Sequence, residues 1–121
     1  MTGQSEHWPS EVRLSPDKRA LRVVFEDGVD FELSAEYLRI ESPSAEVQGH
    51  SPSEKKTVGG KRKVRILAVS SVGNYALKLQ FDDGHDTGIY TWRYLFELGE
   101  TYATKWQSYL TNLETASLTR D

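Results

Sequence analysis

A chain of 121 residues lies in the usual size range of a single folded domain. Its formal net charge of −3 argues against a general attraction to nucleic acid or to an anionic membrane. The chain has no cysteine, which excludes disulfides, thiolate nucleophiles and cysteine-ligated zinc or iron–sulfur sites. No stretch approaches the roughly twenty apolar residues that span a bilayer, so the default expectation is a cytoplasmic protein without membrane contact.

The first 18 residues contain two prolines and several charged side chains but no sustained hydrophobic period. This composition is typical of a flexible chain end, so we expect residues 1–18 to be a flexible N-terminal segment. The sequence then predicts a folded domain over residues 19–99 and a C-terminal helix with a short tail over residues 100–121.

Alternating apolar positions predict a β-hairpin at the start of the folded region. Its turn is at Asp27-Gly28, a dipeptide that suits the positive φ angles of a tight hairpin turn. The apolar positions are Leu21, Val23 and Phe25 before the turn and Val29, Phe31 and Leu33 after it. Ser34 can then act as the N-cap of a short helix over residues 35–39.

The same strand, turn, strand and helix pattern returns later in the chain, around Asp83-Gly84. Leu77, Leu79 and Phe81 lie 56 positions after Leu21, Val23 and Phe25. Beyond the turn the best match slips by one residue, which predicts an extra residue near Thr87-Gly88. We interpret the pattern as a structural repeat, the alternative being that two hairpins look alike by chance. The predicted fold is α+β, with small antiparallel sheets or hairpins and short helices.

Between the two copies, residues 41–63 are rich in Ser, Pro, Gly and Lys, which predicts a long loop of the kind that often carries function. Apolar residues from Val64 to Val72 predict a further strand. The last segment has an aromatic stripe at helical spacing, made of Tyr102, Trp106, Tyr109, Leu110 and Leu113. We expect this amphipathic helix to pack on the core, with a partner or dimer surface as the alternative.

Two histidines of the predicted domain are candidate metal ligands. His85 follows the second turn and has several acidic neighbours, and His50 lies in the long loop. If the loop folded over the second hairpin, both histidines could converge with an acid such as Glu46 or Asp86. The alternative is that each histidine is simply solvated.

A basic run surrounds Gly59-Gly60 and consists of Lys55, Lys56, Lys61, Arg62, Lys63 and Arg65. Lys61, Arg62 and Lys63 are candidate contacts for a phosphate or RNA, although a solvated hairpin flank is the simpler interpretation. No aromatic residue is interleaved with the run, which argues against nucleic-acid binding. The chain also has neither a nucleophile elbow nor a P-loop, so we do not expect an enzyme.

Four segments of the sequence resemble a known family. They are residues 37–50, the turn Gly60-Lys61-Arg62, residues 72–76 and residues 81–90. Together they resemble the DUF971 family of small bacterial domains, which is grouped with the N-terminal domain of gamma-butyrobetaine hydroxylase. The resemblance covers residues 21–99, about the region that we predict to be folded.

The resemblance implies a zinc site that this chain has largely lost. In the hydroxylases, three cysteines and one histidine of the domain bind a structural zinc. On the shared motifs the cysteine positions fall on Ser42, Ser44 and Val47, and the histidine position falls on His85. Hydroxyls are poor zinc ligands and valine is none, so we expect no cofactor and expect the two serines to act as cap and loop hydrogen-bonders.

The resemblance also implies an accessory function. Domains of this family occur fused to Mrp-type ATPases that carry iron–sulfur clusters, and in the hydroxylases beside a separate iron-dependent catalytic domain. We therefore expect a non-catalytic accessory or protein-interaction domain that serves iron–sulfur assembly or oxygenase systems through an unknown protein partner. Its predicted contact surface is the loop over residues 41–63 with the His85 turn. The alternatives are the His85 metal site and weak nucleic-acid binding by residues 55–65.

Overall fold

The structure, a computed structural model, describes residues 7–121 apart from the side chain of Pro52. Within these residues it has two three-stranded antiparallel sheets and four α-helices, which confirms the α+β prediction. The first sheet contains β1 (Pro9–Leu14), β2 (Ala20–Phe25) and β3 (Asp30–Ser34), and the second contains β4 (Ile66–Val72), β5 (Ala76–Phe81) and β6 (Ile89–Thr91). The helices are α1 (Ala35–Ile40), α2 (Ala45–Gln48), α3 (Trp92–Glu100) and α4 (Tyr102–Thr115).

The N-terminal segment differs from the sequence expectation. Residues 1–6 of the predicted flexible segment lie outside the described residues, but β1 occupies Pro9–Leu14 and pairs antiparallel with β2. Val12 and Leu14 pack against the core, which provides the burial that holds this strand in place. The strand has only these two apolar anchors after an irregularity between Pro9 and Glu11, so its sequence pattern is too weak to predict a strand.

The repeat is real and larger than the sequence pattern indicated. Each copy has three strands followed by a helix: β1, β2, β3 and α1 in the first copy, and β4, β5, β6 and α3 in the second. Both sheets have a register irregularity near the start of their first strand, between Pro9 and Glu11 and between Ile66 and Ala68. A shared irregularity at matching positions indicates that the two sheets are built alike.

The extra residue of the second copy lies after the turn, as predicted. In the two turns the Phe25 N–H donates to the Val29 carbonyl and the Phe81 N–H donates to the His85 carbonyl, so the turns match. Leu21 pairs with Leu33 in the first sheet and Leu77 pairs with Tyr90 in the second. The sequence separation between equivalent residues of the two copies therefore rises from 56 to 57 positions within residues 86–88.

The first helix of each copy begins with the same cap. The Ser34 hydroxyl accepts a hydrogen bond from the Tyr37 N–H at 3.0 Å, and the Thr91 hydroxyl accepts one from the Tyr94 N–H at 3.1 Å. Each cap satisfies one of the backbone donors that a helix start leaves without an intrahelical partner. The caps fix where each tyrosine enters the interface between the copies.

Two tyrosines join the copies by reciprocal hydrogen bonds. The Tyr37 hydroxyl, from α1, donates to the Leu98 carbonyl in α3 at 2.7 Å, and the Tyr94 hydroxyl, from α3, donates to the Glu41 carbonyl after α1 at 2.5 Å. Tyr37 and Tyr94 are equivalent in the repeat, and so are their acceptors. Burial raises the pKa of both hydroxyls above the ordinary value, so both remain neutral donors.

The last helix packs on the core, as the aromatic stripe predicts, and its contacts are with the first copy. Tyr102 meets the Tyr37 ring edge-on at 5.0 Å between ring centroids, and Tyr109 is buried. The C-terminal tail then folds back, because the Arg120 guanidinium binds the buried carboxylate of Glu36 at 2.7 and 2.9 Å. No helix within residues 7–121 has both the length and the apolar character to cross a membrane.

Loss of either reciprocal hydroxyl should destabilise the fold. Tyr37→Phe and Tyr94→Phe each leave one buried carbonyl oxygen without its donor, which should lower the free energy of unfolding by about 1 to 2 kcal/mol. Urea denaturation followed by circular dichroism measures this loss. Tyr75→Phe is the matched control, because Tyr75 is 50% exposed and should change stability by less than about 0.5 kcal/mol. Wild-type stability in all three variants would contradict the proposed link.

Candidate functional site

The long loop is held against the second hairpin. Ser44 is the N-cap of α2 and its hydroxyl lies 2.9 Å from the Thr87 hydroxyl. The Thr87 hydroxyl also donates to the Glu46 carboxylate. These contacts join parts of the chain that are more than forty residues apart. We call the combined surface, residues 42–48 of the loop and 82–88 of the hairpin, the loop–hairpin surface.

His85 lies at the centre of this surface and is largely buried. Its Nε2 is 2.8 Å from the Ser42 hydroxyl oxygen, and Ser42 itself is 0% exposed. The Ser42 oxygen also accepts the backbone N–H of Ser44 at 3.2 Å. The His85 contact therefore fastens the turn of the second hairpin to the start of the loop.

The protonation of His85 follows from its surroundings. Burial lowers the pKa of His85, with help from the positive charge of Arg39, while Glu46, Asp83 and Asp86 act in the opposite direction. The imidazole is therefore neutral at neutral pH. Its Nδ1 faces the Glu46 carboxylate at 3.7 Å, which favours the proton on Nδ1 and leaves Nε2 to accept from the Ser42 hydroxyl.

A hydroxyl, an imidazole and a carboxylate lie in a row in space, as in a nucleophilic triad; they belong to Ser42, His85 and Glu46. The geometry of this row does not suit nucleophilic catalysis. Ser42 has no exposed surface for a substrate to approach, and the 3.7 Å between His85 and Glu46 is too long for a hydrogen bond. In this conformation the three side chains connect the loop to the hairpin.

Gly88 allows the hairpin to approach the loop this closely. A Cβ atom at this position would lie 2.5 Å from the Ser42 hydroxyl oxygen and 3.3 Å from the Pro43 Cδ. The φ angle of Gly88 is not positive, so the close contact, and not the backbone conformation, is what favours glycine. Gly88 lies in the segment of the extra residue, which therefore shapes the contact with Ser42.

The carboxylate of Asp83 links α1, the segment around Lys61 and the second hairpin turn. It lies 2.8 Å from the Arg39 Nε and 2.6 Å from the Lys61 Nζ, and it accepts the His85 N–H at 3.1 Å. Partial burial raises the pKa of Asp83, but the hydrogen bonds from Lys61, the His85 backbone and Arg39 outweigh this effect and lower the pKa to about 2. Asp83 is therefore ionised at every physiological pH.

No hydrogen bond or ring contact joins His50 to His85 among the described residues. His50 is exposed and lines a cavity of about 510 Å³ together with Tyr94 and Glu97. Asp86 is exposed at the edge of the loop–hairpin surface, and Glu46 lies near His85. Within residues 7–121 no three His, Asp or Glu side chains are grouped closely enough to hold a metal ion.

Of the four positions that the family resemblance assigns to zinc, Ser42 and His85 are in contact. The set of four side chains does not fit zinc. The hydroxyls of Ser42 and Ser44 already have hydrogen-bond partners, and Val47 is 2% exposed and has no donor atom. His85 is the one strong zinc ligand of the set. Hydrogen bonds join the loop to the hairpin at the place where the resemblance puts the metal.

Most of the basic run is paired with acidic side chains of the same chain, partly at the surface. Lys61 binds Asp83 at 2.6 Å, Arg62 binds Asp121 at 2.6 Å and Arg65 binds Asp82 at 3.3 Å. Lys55 binds Glu41 at 2.7 Å. Lys63 is exposed and has no ion pair with the described residues. The run therefore offers a phosphate backbone much less charge than its sequence indicates.

The Asp83 cluster was not predicted from the sequence. Arg39 comes 44 residues before Asp83, and neither residue has a pattern that identifies the other as its partner. The nearest signal was Asp83 in the Asp-Gly turn, which predicted a turn and not a charge cluster. The pairing depends on the loop lying over the hairpin.

The family model described as gamma-butyrobetaine hydroxylase-like, N-terminal, matches residues 12–96. The chain belongs to this family. The matched range begins inside β1 and ends inside α3, so the family's domain includes both copies of the repeat.

Three of the solved structures that are similar to this member of the family illustrate the match. Two are solution NMR structures with 42% and 44% sequence identity and TM-scores of 0.81 and 0.82. These matches cover 95% and 99% of this chain and 90% of each of the other chains. The third is the crystal structure of a DUF971 family protein of unknown function from Acidithiobacillus ferrooxidans ATCC 23270. It is 40% identical, with a TM-score of 0.63, and the match covers 75% of this chain and 91% of that one. None of the curated proteins matches this chain.

A side chain at position 88 should destabilise the loop–hairpin contact. Gly88→Ala should lower the free energy of unfolding by about 1 to 3 kcal/mol because the new Cβ would clash with the Ser42 hydroxyl. Ser42→Ala removes that oxygen along with its hydrogen bonds. In the double variant the clash is relieved, so urea denaturation should show a loss smaller than the sum of the two single losses. Additive losses would contradict the steric explanation.

The Asp83 cluster should make stability depend on acid pH. The pKa of the Asp83 carboxyl falls from 3.8 to about 2 on folding, so its contribution is complete above about pH 4 and is lost as the pH falls towards 2. Asp83→Asn should cost about 1 kcal/mol at neutral pH, and the difference from wild type should shrink over that acid range. Urea denaturation at a series of pH values measures it.

Asp27→Asn is the matched control for this experiment. Asp27 occupies the equivalent position in the first turn, where it also accepts a backbone N–H, but its ion-pair partner among the described residues is His7 at 3.2 Å and not a lysine or arginine. Its substitution should therefore have the smaller effect at neutral pH. If both variants followed the same pH curve, the ion pairs of Asp83 would not be the cause.

Proposed function

We propose that this chain is a non-catalytic accessory domain that binds a protein partner through the loop–hairpin surface. The single observation that carries the proposal is that the contacts of Ser42 with His85 and of Ser44 with Thr87 join two distant segments into one ordered surface. A surface that is ordered before binding loses little conformational entropy when a partner docks. The full burial of Ser42 supports a binding role over catalysis at this place.

The charges of the surface suggest the chemistry of the partner. Arg39 and Lys61 face inward, where both are paired with Asp83. Glu46, with a 66% exposed side chain, and Asp86 face solvent at the rim. An outward acidic rim favours a partner that presents lysine or arginine, because complementary charges steer the encounter and penalise the wrong partners.

Membership in the gamma-butyrobetaine hydroxylase-like family motivates the proposed accessory role and the proposed connection to iron–sulfur assembly or oxygenase systems. The chain has no cysteine and so supplies no thiolate for a cluster. In this proposal it therefore acts by docking to the protein that carries the iron. The connection rests on family resemblance, and the docking surface rests on the geometry.

Site-specific photo-crosslinking in the native cell tests the surface. A benzophenone side chain at Ala45 or at Asp86, both exposed on the loop–hairpin surface, should capture the same protein. The same group at Gln107, exposed on α4, is the matched control and should not capture it. Capture of the same protein from all three positions, or no capture from the first two, would contradict the proposed surface.

The captured partner can then be purified and its affinity measured by calorimetry. Asp86→Lys should weaken binding by about tenfold, which corresponds to about 1.4 kcal/mol, because it places a like charge opposite the basic partner. Glu114→Lys makes the same charge change on an exposed residue of α4 and should leave the affinity unchanged. Equal affinity of the two variants for the partner would refute the role of the acidic rim.

A further inference from the structure

A cavity of about 380 Å³ lies between residues 55–58 and one face of α4. Its size is in the range of sites that hold small molecules. Ile40 and the ring of Tyr109 provide apolar lining. The cavity is distinct from the loop–hairpin surface, since none of its lining residues belongs to residues 42–48 or 82–88.

The lining of this cavity is positively charged although the whole chain is acidic. Among the described residues, Lys55, Lys56 and Lys105 line it together with a single carboxylate, that of Glu41. Glu41 is buried and is already paired with Lys55 at 2.7 Å. Lys56 and Lys105 are therefore the two lysines that can bind a ligand in the cavity.

The acid partners of those two lysines are weak. Lys105 lies 3.9 Å from a carboxylate oxygen of Glu97, at the far limit of an ion pair, and the Glu97 side chain is 53% exposed. Such an exposed, long pair contributes little. Lys56 has no ion pair with the described residues, and its backbone N–H is occupied by the Val47 carbonyl. Both ammonium groups are thus available to a ligand.

Uncharged hydrogen-bonding groups complete the lining. Thr104, Ser108 and Asn112 follow one another at intervals of four residues, so they lie on the same face of α4. Thr57 adds a hydroxyl from the opposite wall. These groups can orient the oxygens of a ligand, while the lysines supply the charge that attracts it.

We propose that this cavity binds a small dianion that carries a phosphate group or two carboxylates. Two ammonium groups beside a row of neutral donors match a doubly negative ligand in charge and in hydrogen bonding. Lysines act as point charges and do not require the planar geometry that arginine imposes, so phosphate and dicarboxylate share the same recognition chemistry. The proposal is independent of the protein-docking function.

Nuclear magnetic resonance titration with inorganic phosphate and, separately, with succinate tests the proposal. Ionic strength and pH are held constant so that general screening does not change. The amide signals of Thr57, Thr104, Ser108 and Asn112 should shift with a saturable dependence on at least one of the two anions. Saturation by phosphate alone, by succinate alone or by both identifies the group that the cavity prefers.

A pair of charge-neutralising variants makes the test specific. Lys56→Gln with Lys105→Gln should weaken the saturable binding by at least about tenfold, which corresponds to about 1.4 kcal/mol. Lys63→Gln with Lys78→Gln changes the net charge equally at exposed positions outside the cavity and should leave the affinity unchanged. Circular dichroism checks that both proteins fold, and the single variant Lys56→Gln replaces the double one if it does not.

Three results would overturn the proposal. The shifts could grow linearly without saturation for both anions, as for non-specific contact. They could cluster around the basic residues near Lys63 in place of α4. The control variant could also weaken binding as much as the cavity variant, which would show that binding depends on the overall charge of the chain and not on the cavity.

Discussion

The reciprocal hydrogen bonds of Tyr37 and Tyr94 are the constraint on which the rest of the molecule depends. Each hydroxyl crosses from its own copy of the repeat to a backbone carbonyl of the other, at Leu98 or Glu41. Each sheet buries one face only when the other copy covers it, so neither three-stranded unit has a complete core alone. Because the two hydroxyls are buried donors, separation of the copies would leave four polar groups to be rehydrated at once.

The same constraint positions the candidate site. The carbonyl that Tyr94 binds belongs to Glu41, the residue immediately before Ser42, so the start of the long loop has a fixed place and direction. The Ser42 hydroxyl then contacts the His85 imidazole, and the lack of a side chain at Gly88 leaves space for the loop. The extra residue of the second copy lies in this contact, while the first turn has Val29 where the second has His85. The scaffold is duplicated, and the site is not.

The sequence does not show which charged side chains pair with one another in the fold and which face solvent without such a pair. The basic run has most of its charge neutralised by acids that come from other parts of the chain, including Asp83 and Asp121. In the two proposals, a protein partner uses the acids that remain outward on the loop–hairpin surface, and a small ligand uses the lysines of the cavity beside α4. An overall charge of −3 therefore describes neither surface.

The sequence by itself determined the strands around Asp27-Gly28 and Asp83-Gly84, the helices after them, the Ser34 cap of the first helix and the packing stripe of α4, because periodicity and turn chemistry are local. It also located the extra residue near Gly88 and the family. Only the tertiary structure decided that β1 is a strand, that Ser42 contacts His85 while His50 lines a separate cavity, and which acids pair with the basic run. Those outcomes depend on contacts between residues far apart in the chain, which no local pattern encodes.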